Sequence, residues 1–531
     1  MTARSIRATA AAVLAGVLAV GAGACSNPGG GSGGSGKKDS AVVGIAYEPE
    51  TLSPLLGYGK DGNSKLFDGL LTFDADMKLK PALATALPEV SDDRLTYTYK
   101  LRQGVKFSDG KPFSAKDVVF TYTKILDPKT NNPSKGELDA VKSVEAQGDD
   151  TVVFTLKYPY APFAERTVLP VVPEHVAAQQ DVNSGAFSRA PVGTGPYTLA
   201  KWSKGEKITF AANPTYWGGA PAVKKFTMAV IKDDDVRATR LRAGDLDGAI
   251  LPPNLAGTFK GDRGKKTYTA KTYDYRNVTL PTGNEVAGDT AVRRALDLAV
   301  DREAMVDRIL EGAGKPAYGP VPTGSEWFAA GTERAHDLDR AKRLLDDAGW
   351  KPGADGIREK DGVKAAFPLW YLSGDKLRQD HALAFASDAK KAGIAVTTQS
   401  GTWEVIEPRM KQDAVLAGGG SPGDPDFDQY NLLKSSLAGD GFNNMASFAD
   451  PTVDKALDDG RRSGDRAVRK AAYDTVQREL VKNPGYTFLT HIDHLYVVND
   501  TWDGLSTQVE PHDHGLASGP WWNVEKWAPK K

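Results

Sequence analysis

Cysteine is almost missing from this chain: Cys25 is the only one in 531 residues. A lone thiol excludes an intrachain disulfide framework and any metal site built on paired cysteines. A membrane-spanning run is missing too, since the most apolar stretch, residues 10–20, falls short of the roughly 20 residues that a transmembrane helix needs. Neither sign of charge dominates: 67 basic residues face 68 acidic ones, for a net charge of −1. With no basic block to meet phosphates, nucleic acid is not an expected partner. Catalytic motifs are scarce as well. There is no His-Glu-x-x-His zinc helix and no Gly-x-x-x-x-Gly-Lys-Ser/Thr phosphate loop. Gly419-Gly-Ser-Pro-Gly423 formally fits the Gly-x-Ser-x-Gly nucleophile elbow, but the oxyanion hole needs the N–H of the residue after serine, and Pro422 has none. Neither enzymatic activity nor a cofactor is expected.

What is present begins at the N-terminus. Arg4 and Arg7 precede the apolar residues 10–20, and small residues 21–24 lead directly to Cys25. That is the anatomy of an export signal covering 1–24. Cys25 at the cleavage point resembles the lipobox of bacterial lipoproteins, with Ala22 where leucine is usual, and the resemblance implies lipidation of Cys25. The Gly/Ser-rich residues that follow, within 25–40, read as a flexible leash. Acyl chains anchor at about 0.8 kcal/mol per buried CH₂. An extracytoplasmic protein held to the cell membrane is the expectation. Removing Arg4 and Arg7 would leave a body of net charge −3. At 40% hydrophobic and 25% charged residues that body is globular, and its length calls for two or three domains.

Strand and helix periodicities alternate along it. Residues 95–101 alternate so that Tyr97, Tyr99 and Leu101 share a strand face, and 150–157 read likewise. Ser114 with Asp117 forms a capping-box pattern at a helix start. Val292, Ala295, Leu296, Ala299 and Val300 fall on one helical face. Residues 337–348 read as a helix from an Asp cap to a Gly stop, and helices also fit 380–392 and 450–480. A short strand fits 414–417. The mixture predicts α/β domains.

The run 95–122, with its Ser108-Asp109-Gly110 turn between strand and capped helix, resembles the signature of the family-5 extracellular solute-binding proteins of ABC transporters, the receptors for peptides, nickel and opines. Leu52-Ser53-Pro54, residues 191–197, residues 213–218, Arg293–Leu296 with Asp301-Arg302, and residues 341–350 extend the likeness from residue 41 to the C-terminus. The resemblance implies a periplasmic-binding-protein-like α/β fold of two lobes joined by a hinge. Domain I would comprise 41–66, 190–277 and 491–531, domain II 67–189, and domain III 278–490. Strands crossing near Asn277 and His491 would be the hinges. The implied function is a monomeric substrate-binding lipoprotein that captures a short peptide or peptide-like solute and passes it to ABC permease and ATPase subunits. A nickel or other metal-chelate receptor is the alternative, and an opine, sugar or antibiotic-like ligand stands further off.

Positions matching the family's pocket are Tyr58, Lys60, Trp403, Glu407 and the stretch Gly419, Gly420, Ser421 and Asp424. Peptide receptors of this type carry an acid three residues before the Asp-Pro pair, here Asp424-Pro425; this chain has Ser421 instead, with Asp424, Asp426 and Asp428 close by in sequence. Four of seven histidines lie in His491-Ile-Asp-His494 and His512-Asp-His514. Imidazoles suit nickel, copper or zinc, so His512 and His514 are the metal candidates under the alternative. On one strand His491 and His494 would face opposite ways. The structural reading puts His512 and His514 on a surface strand or turn.

Overall fold

In the computed structural model, which describes residues 39–133, 135–421, 423–439, 441–512 and 516–530, the alternating run forms the strand Thr96–Lys100, with Tyr97 and Tyr99 buried. It lies in a four-stranded antiparallel sheet with Glu89–Val90, Thr151–Leu156 and Val141–Ala146. The helix Ala115–Leu126 begins at Ser114 with both halves of the capping box made, so two otherwise orphaned N–H groups are satisfied locally. Its Val118, Tyr122 and Ile125 are buried, and Tyr122 meets Phe154 of the sheet edge-on at 4.8 Å. Each such side chain contributes about 1.5–3 kcal/mol when fully buried.

Two larger sheets carry most of the remaining strands, beside one three-stranded and two two-stranded sheets. The first has seven strands in the order Lys265–Ala270, His494–Asn499, Gly248–Leu251, Ser40–Ile45, Lys225–Val230, Lys207–Ala212 and Tyr197–Ser203. Ser40–Ile45 is parallel to both neighbours and buries Ala41, Val43 and Ile45. The second has six, in the order Gly314–Pro316, Tyr486–Ile492, Tyr275–Thr279, Ala414–Gly419, Ala366–Leu372 and Ala395–Gly401. Capped helices pack on it. Thr290–Ala299, started by Asp289, and Leu338–Asp347, started by Asp337, share a core with Leu369, Leu416 and Leu489. No helix among the described residues is long and apolar enough to cross a membrane.

The chain passes between the two large sheets twice, side by side. Lys265–Ala270 pairs with His494–Asn499 in one sheet, and Tyr275–Thr279 pairs with Tyr486–Ile492 in the other. A single residue, Asp493, separates the strands on the return pass. His491 and His494 therefore end and begin different strands instead of sharing one. Two helix expectations also change. Residues 450–480 are not one helix but two, Pro451–Arg462 and Arg466–Lys482, because Ser463-Gly464 ends the first and Asp465 caps the second. The helix expected over 380–392 starts earlier, at Lys376, where Asp375 accepts from the Arg378 N–H.

Candidate ligand cleft

Five sequence-distant segments, one of them carrying Phe73 and Met77, meet around a cavity enclosing about 600 Å³ of atom-free space, part of it open to solvent. It is lined by Lys60, Asp61 and Asn63, by Glu165, Arg166 and Val168, by Ser421 and Phe427, and by residues of 508–518 that include Glu510. A smaller space of about 240 Å³ adjoins Tyr273, Trp327, Gly423, Asp428 and Gln429, and Ser421 lines both.

Local folding explains which side chains reach the cavity. In the turn Phe163–Val168, Phe163 is fully buried against Tyr97 at 4.8 Å and Phe154 at 5.3 Å, while Thr167 and Val168 are buried with it. That anchoring presents Glu165 and Arg166 to the cavity. On the opposing wall, Ala414–Gly419 ends in glycines whose missing side chains leave room for neighbours. A Cβ on Gly419 would stand 2.5 Å from the Tyr275 Oη, and one on Gly423 would stand 2.7 Å from the Glu165 Oε2. Gly420 and Gly423 also have φ of +128° and +93°, which side chains rarely tolerate.

Charge in the cleft divides into satisfied and unsatisfied groups. Asp424 is buried and paired with Arg469 at 2.5 Å. Asp426 is fully buried and takes a two-pronged contact from Arg461, Nε to Oδ1 at 2.9 Å and Nη2 to Oδ2 at 2.9 Å, while the Tyr160 hydroxyl donates to Oδ2 at 3.1 Å. Arg461 also lies 3.2 Å over the Tyr430 ring, and Arg166 lies 3.6 Å over Phe427 while bonding Glu137 at 2.7 Å. These contacts close segment 158–168 against 424–430. Glu165 and Asp428 differ, because one carboxyl oxygen of each is buried without a hydrogen-bond partner among the described residues. Burial, then the nearby Asp424 carboxylate, pushes Glu165 up to about 8 against the pull of Arg166, Arg469 and the Asp424 backbone N–H. Burial pushes Asp428 up to about 7, opposed by the Tyr275 hydroxyl, which donates to its Oδ1 at 3.1 Å. Gln429, fully buried, has neither end of its amide partnered.

Where the strands cross, a second polar cluster forms. His494 Nδ1 meets Glu510 at 2.6 Å and Nε2 meets Asp274 at 3.1 Å; Asp274 also takes Arg276 at 2.5 Å and His512 Nδ1 at 2.6 Å. Burial opposes the charged form of His494, but its bonds to Asp274 and Glu510 prevail and push it up to about 9. Burial would raise Asp274, yet Arg276 and the two histidines hold it well below the usual carboxylate range. His491, buried with no such partners among the described contacts, is pushed down to about 4. His512 is thus tied into a buried network rather than decorating a surface strand or turn.

The expected site residues scatter. Lys60 and Ser421 line the larger cavity, and Lys60 bonds Glu137 at 3.2 Å. Gly419 and Gly420 shape the wall from behind, Asp424 is held by Arg469, and Tyr58 sits in the core edge-on to Phe67 at 6.3 Å. Trp403 packs edge-on against Phe442 at 5.0 Å beside Ile406 and Met410, and Glu407 is exposed; neither lines either cavity. Cys25 and His514 lie outside the described residues. Among the described residues no group of three or more His, Cys, Asp or Glu is placed to hold a metal ion. Glu165 and Arg166 carry no motif in the sequence, whereas Asp428 is one of the three aspartates that stand near Ser421 as substitutes for the missing acid. For the first two a signal exists: an adjacent charged pair inside the otherwise apolar stretch 161–172.

Comparison with known proteins agrees with this architecture. Residues 78–443 match the model for bacterial extracellular solute-binding proteins, family 5 Middle. Protein XP55 of Streptomyces lividans is 66% identical over 507 residues, covering 95% of this chain and 93% of its own. The crystal structure of NikZ from Campylobacter jejuni in complex with Ni(L-His) is 32% identical, with a TM-score of 0.84, over 92% of this chain and 99% of that one. The oligopeptide-binding protein AppA from Bacillus subtilis, solved in complex with a nonapeptide, is 29% identical with a TM-score of 0.80, over 93% and 99%. This chain belongs to the family 5 bacterial extracellular solute-binding proteins, and its mixed α/β body is of the two-lobed, extracytoplasmic type that binds small solutes and works with ABC permeases.

Proposed function

We propose that this protein is the substrate-binding lipoprotein of an ABC importer and that it captures a short peptide or peptide-like solute in the cleft around Ser421. The observation that carries this reading is the cleft itself, bounded by segments from residues 60 to 518 and furnished with a few buried polar groups. The similarity to AppA, solved with a nonapeptide, supports peptide cargo. Lys60, Gly419, Gly420, Ser421 and Asp424 are the residues of the expected set that stand at or behind its wall, and Tyr58, Trp403 and Glu407 would reach a ligand only if it extended beyond the two cavities. The proposed division into domain I (41–66, 190–277, 491–531), domain II (67–189) and domain III (278–490) is supported by sheet membership, since the strands of the seven-stranded sheet fall in the first set apart from Ser40 and the four-stranded sheet falls in the second, while the six-stranded sheet takes residues 275–277 and 491–492 along with domain III. The paired crossing strands are then the hinge about which the lobes rotate. Cys25 is proposed as the lipid-bearing residue, with the body a monomer above the membrane.

The second reading, a nickel-chelate receptor, is favoured by the likeness to NikZ with Ni(L-His). Mass spectrometry of material that co-purifies in the cleft, together with elemental analysis, separates the two. Peptide without metal is expected; stoichiometric nickel with a histidine-like chelator would replace the peptide assignment. Cys25→Ser should release the protein from membranes with ligand affinity unchanged, and retention of that variant would remove the anchor from the proposal.

A further inference from the structure

The acid that peptide receptors of this type would place at position 421 is missing, and two of the three nearby aspartates are already engaged: Asp424 with Arg469, and Asp426 with Arg461. A buried carboxylate with an unpaired oxygen is costly, so it persists where something else completes it. Around Ser421 the unpaired atoms are Glu165 Oε2, Asp428 Oδ2 and both ends of the Gln429 amide. Of the two acids only Glu165 lines the larger cavity, and glycine at 423 leaves space for its carboxyl group against the 421–425 wall.

We infer that Glu165, contributed by the wall opposite Ser421, is the carboxylate that receives a cationic nitrogen of the ligand, an ammonium or guanidinium. This deepens the proposed function and rests on its reading of the cleft. Glu165 faces Asp424, Arg166 and Arg469, and burial beside Asp424 favours its protonated form. Arrival of a cation favours the ionised form, so the Glu165 O–H bond breaks, its proton passes to solvent, and an ion pair takes its place.

The test uses the purified full-length protein and matched probes: tri- to pentapeptides with a free or an acetylated N-terminus, acetylated peptides carrying lysine or norleucine, and simple diamines. Calorimetry should show the parent binding cationic members at least tenfold more tightly than their neutral counterparts, and releasing protons on binding at pH 7 in buffers of differing ionisation enthalpy. Glu165→Gln, close in shape, should abolish that preference while melting no lower than the parent; the acetylated and lysine arms tell an α-ammonium from a side-chain cation. An unaltered preference in Glu165→Gln, or no proton release by the parent, overturns the inference and leaves the peptide reading standing. Diamines bound in a Glu165-dependent way with no peptide bound would support the inference and remove the peptide reading. Neutral members bound as tightly as cationic ones by the parent would overturn it without recourse to the variant.

Discussion

Asp426 and Asp428 are two residues apart on the same helix, and the cleft treats them in opposite ways. Asp426 is fully buried, with an arginine spanning its two oxygens and a tyrosine hydroxyl from segment 158–168. Asp428 has one tyrosine hydroxyl and an oxygen with no partner. Asp424 and Glu165 repeat the contrast across the cleft. Paired carboxylates here hold segments together, because removing one partner strands a buried charge. Glu165 and Asp428 each keep one buried oxygen without a partner among the described residues, and Asp428 ties its helix to the strand Tyr275–Thr279 only through the Tyr275 hydroxyl. Proximity in sequence to the Asp-Pro pair therefore says little about which acid can bind.

The comparison is broken most forcefully at Arg461. Arg461→Met should leave Asp426 without its guanidinium and cost about 3–5 kcal/mol, seen as a lower urea midpoint. A loss under about 1 kcal/mol would mean that the pair does not secure the 158–168 segment, and the distinction between holding and binding acids would collapse.

Next in size is Trp403→Ala. Its ring packs on Phe442 and the cluster around Ile406, so about 2 kcal/mol of stability should go with affinity for cleft ligands within about twofold. Affinity lost by tens-fold in calorimetry would put Trp403 on the ligand surface.

Glu165 supplies a pH-dependent test. Its folded-state value of about 8 lies above the ordinary carboxylate range, so the folded state binds a proton that the unfolded state gives up. The stability it contributes is fully present below the ordinary glutamate range and is lost as pH rises through about 8. Melting temperatures of the parent should decline between pH 5 and 8 more steeply than those of Glu165→Gln. Parallel curves would show Glu165 already ionised, and so already paired, in the empty cleft.

The smallest effect is expected at Lys60, which shares Glu137 with Arg166 and has a side chain 33% exposed. Lys60→Ala should cost about 0–1 kcal/mol, because Arg166 still answers the Glu137 charge. A larger loss of stability would make Lys60 a structural partner rather than a rim residue.

Much of the frame is legible in the residues. The Ser114–Asp117 box, the Asp caps at 289, 337, 375, 450 and 465, and the alternation at Tyr97 and Tyr99 all act within three or four residues, where sequence and geometry are tightly coupled. The division of 450–480 was readable too, had Ser463-Gly464-Asp465 been weighed as a stop followed by a cap. The site was less legible. Lys60 and Ser421 line the larger cavity, Trp403 and Glu407 line neither, and Glu165 comes from a stretch with no motif of its own.

By itself the sequence determined the mixed α/β frame, the family, and an N-terminal segment with the pattern of an export signal ending at Cys25, since these depend on local spacing and on long runs of matching residues. Only the tertiary structure decided which carboxylates are spent on the fold. Asp426 and Tyr160 are 266 positions apart, and Asp274 and His512 are 238 apart. Whether a buried acid is paired depends on what the folded chain brings within about 3 Å of it, and no periodicity along the chain carries that information.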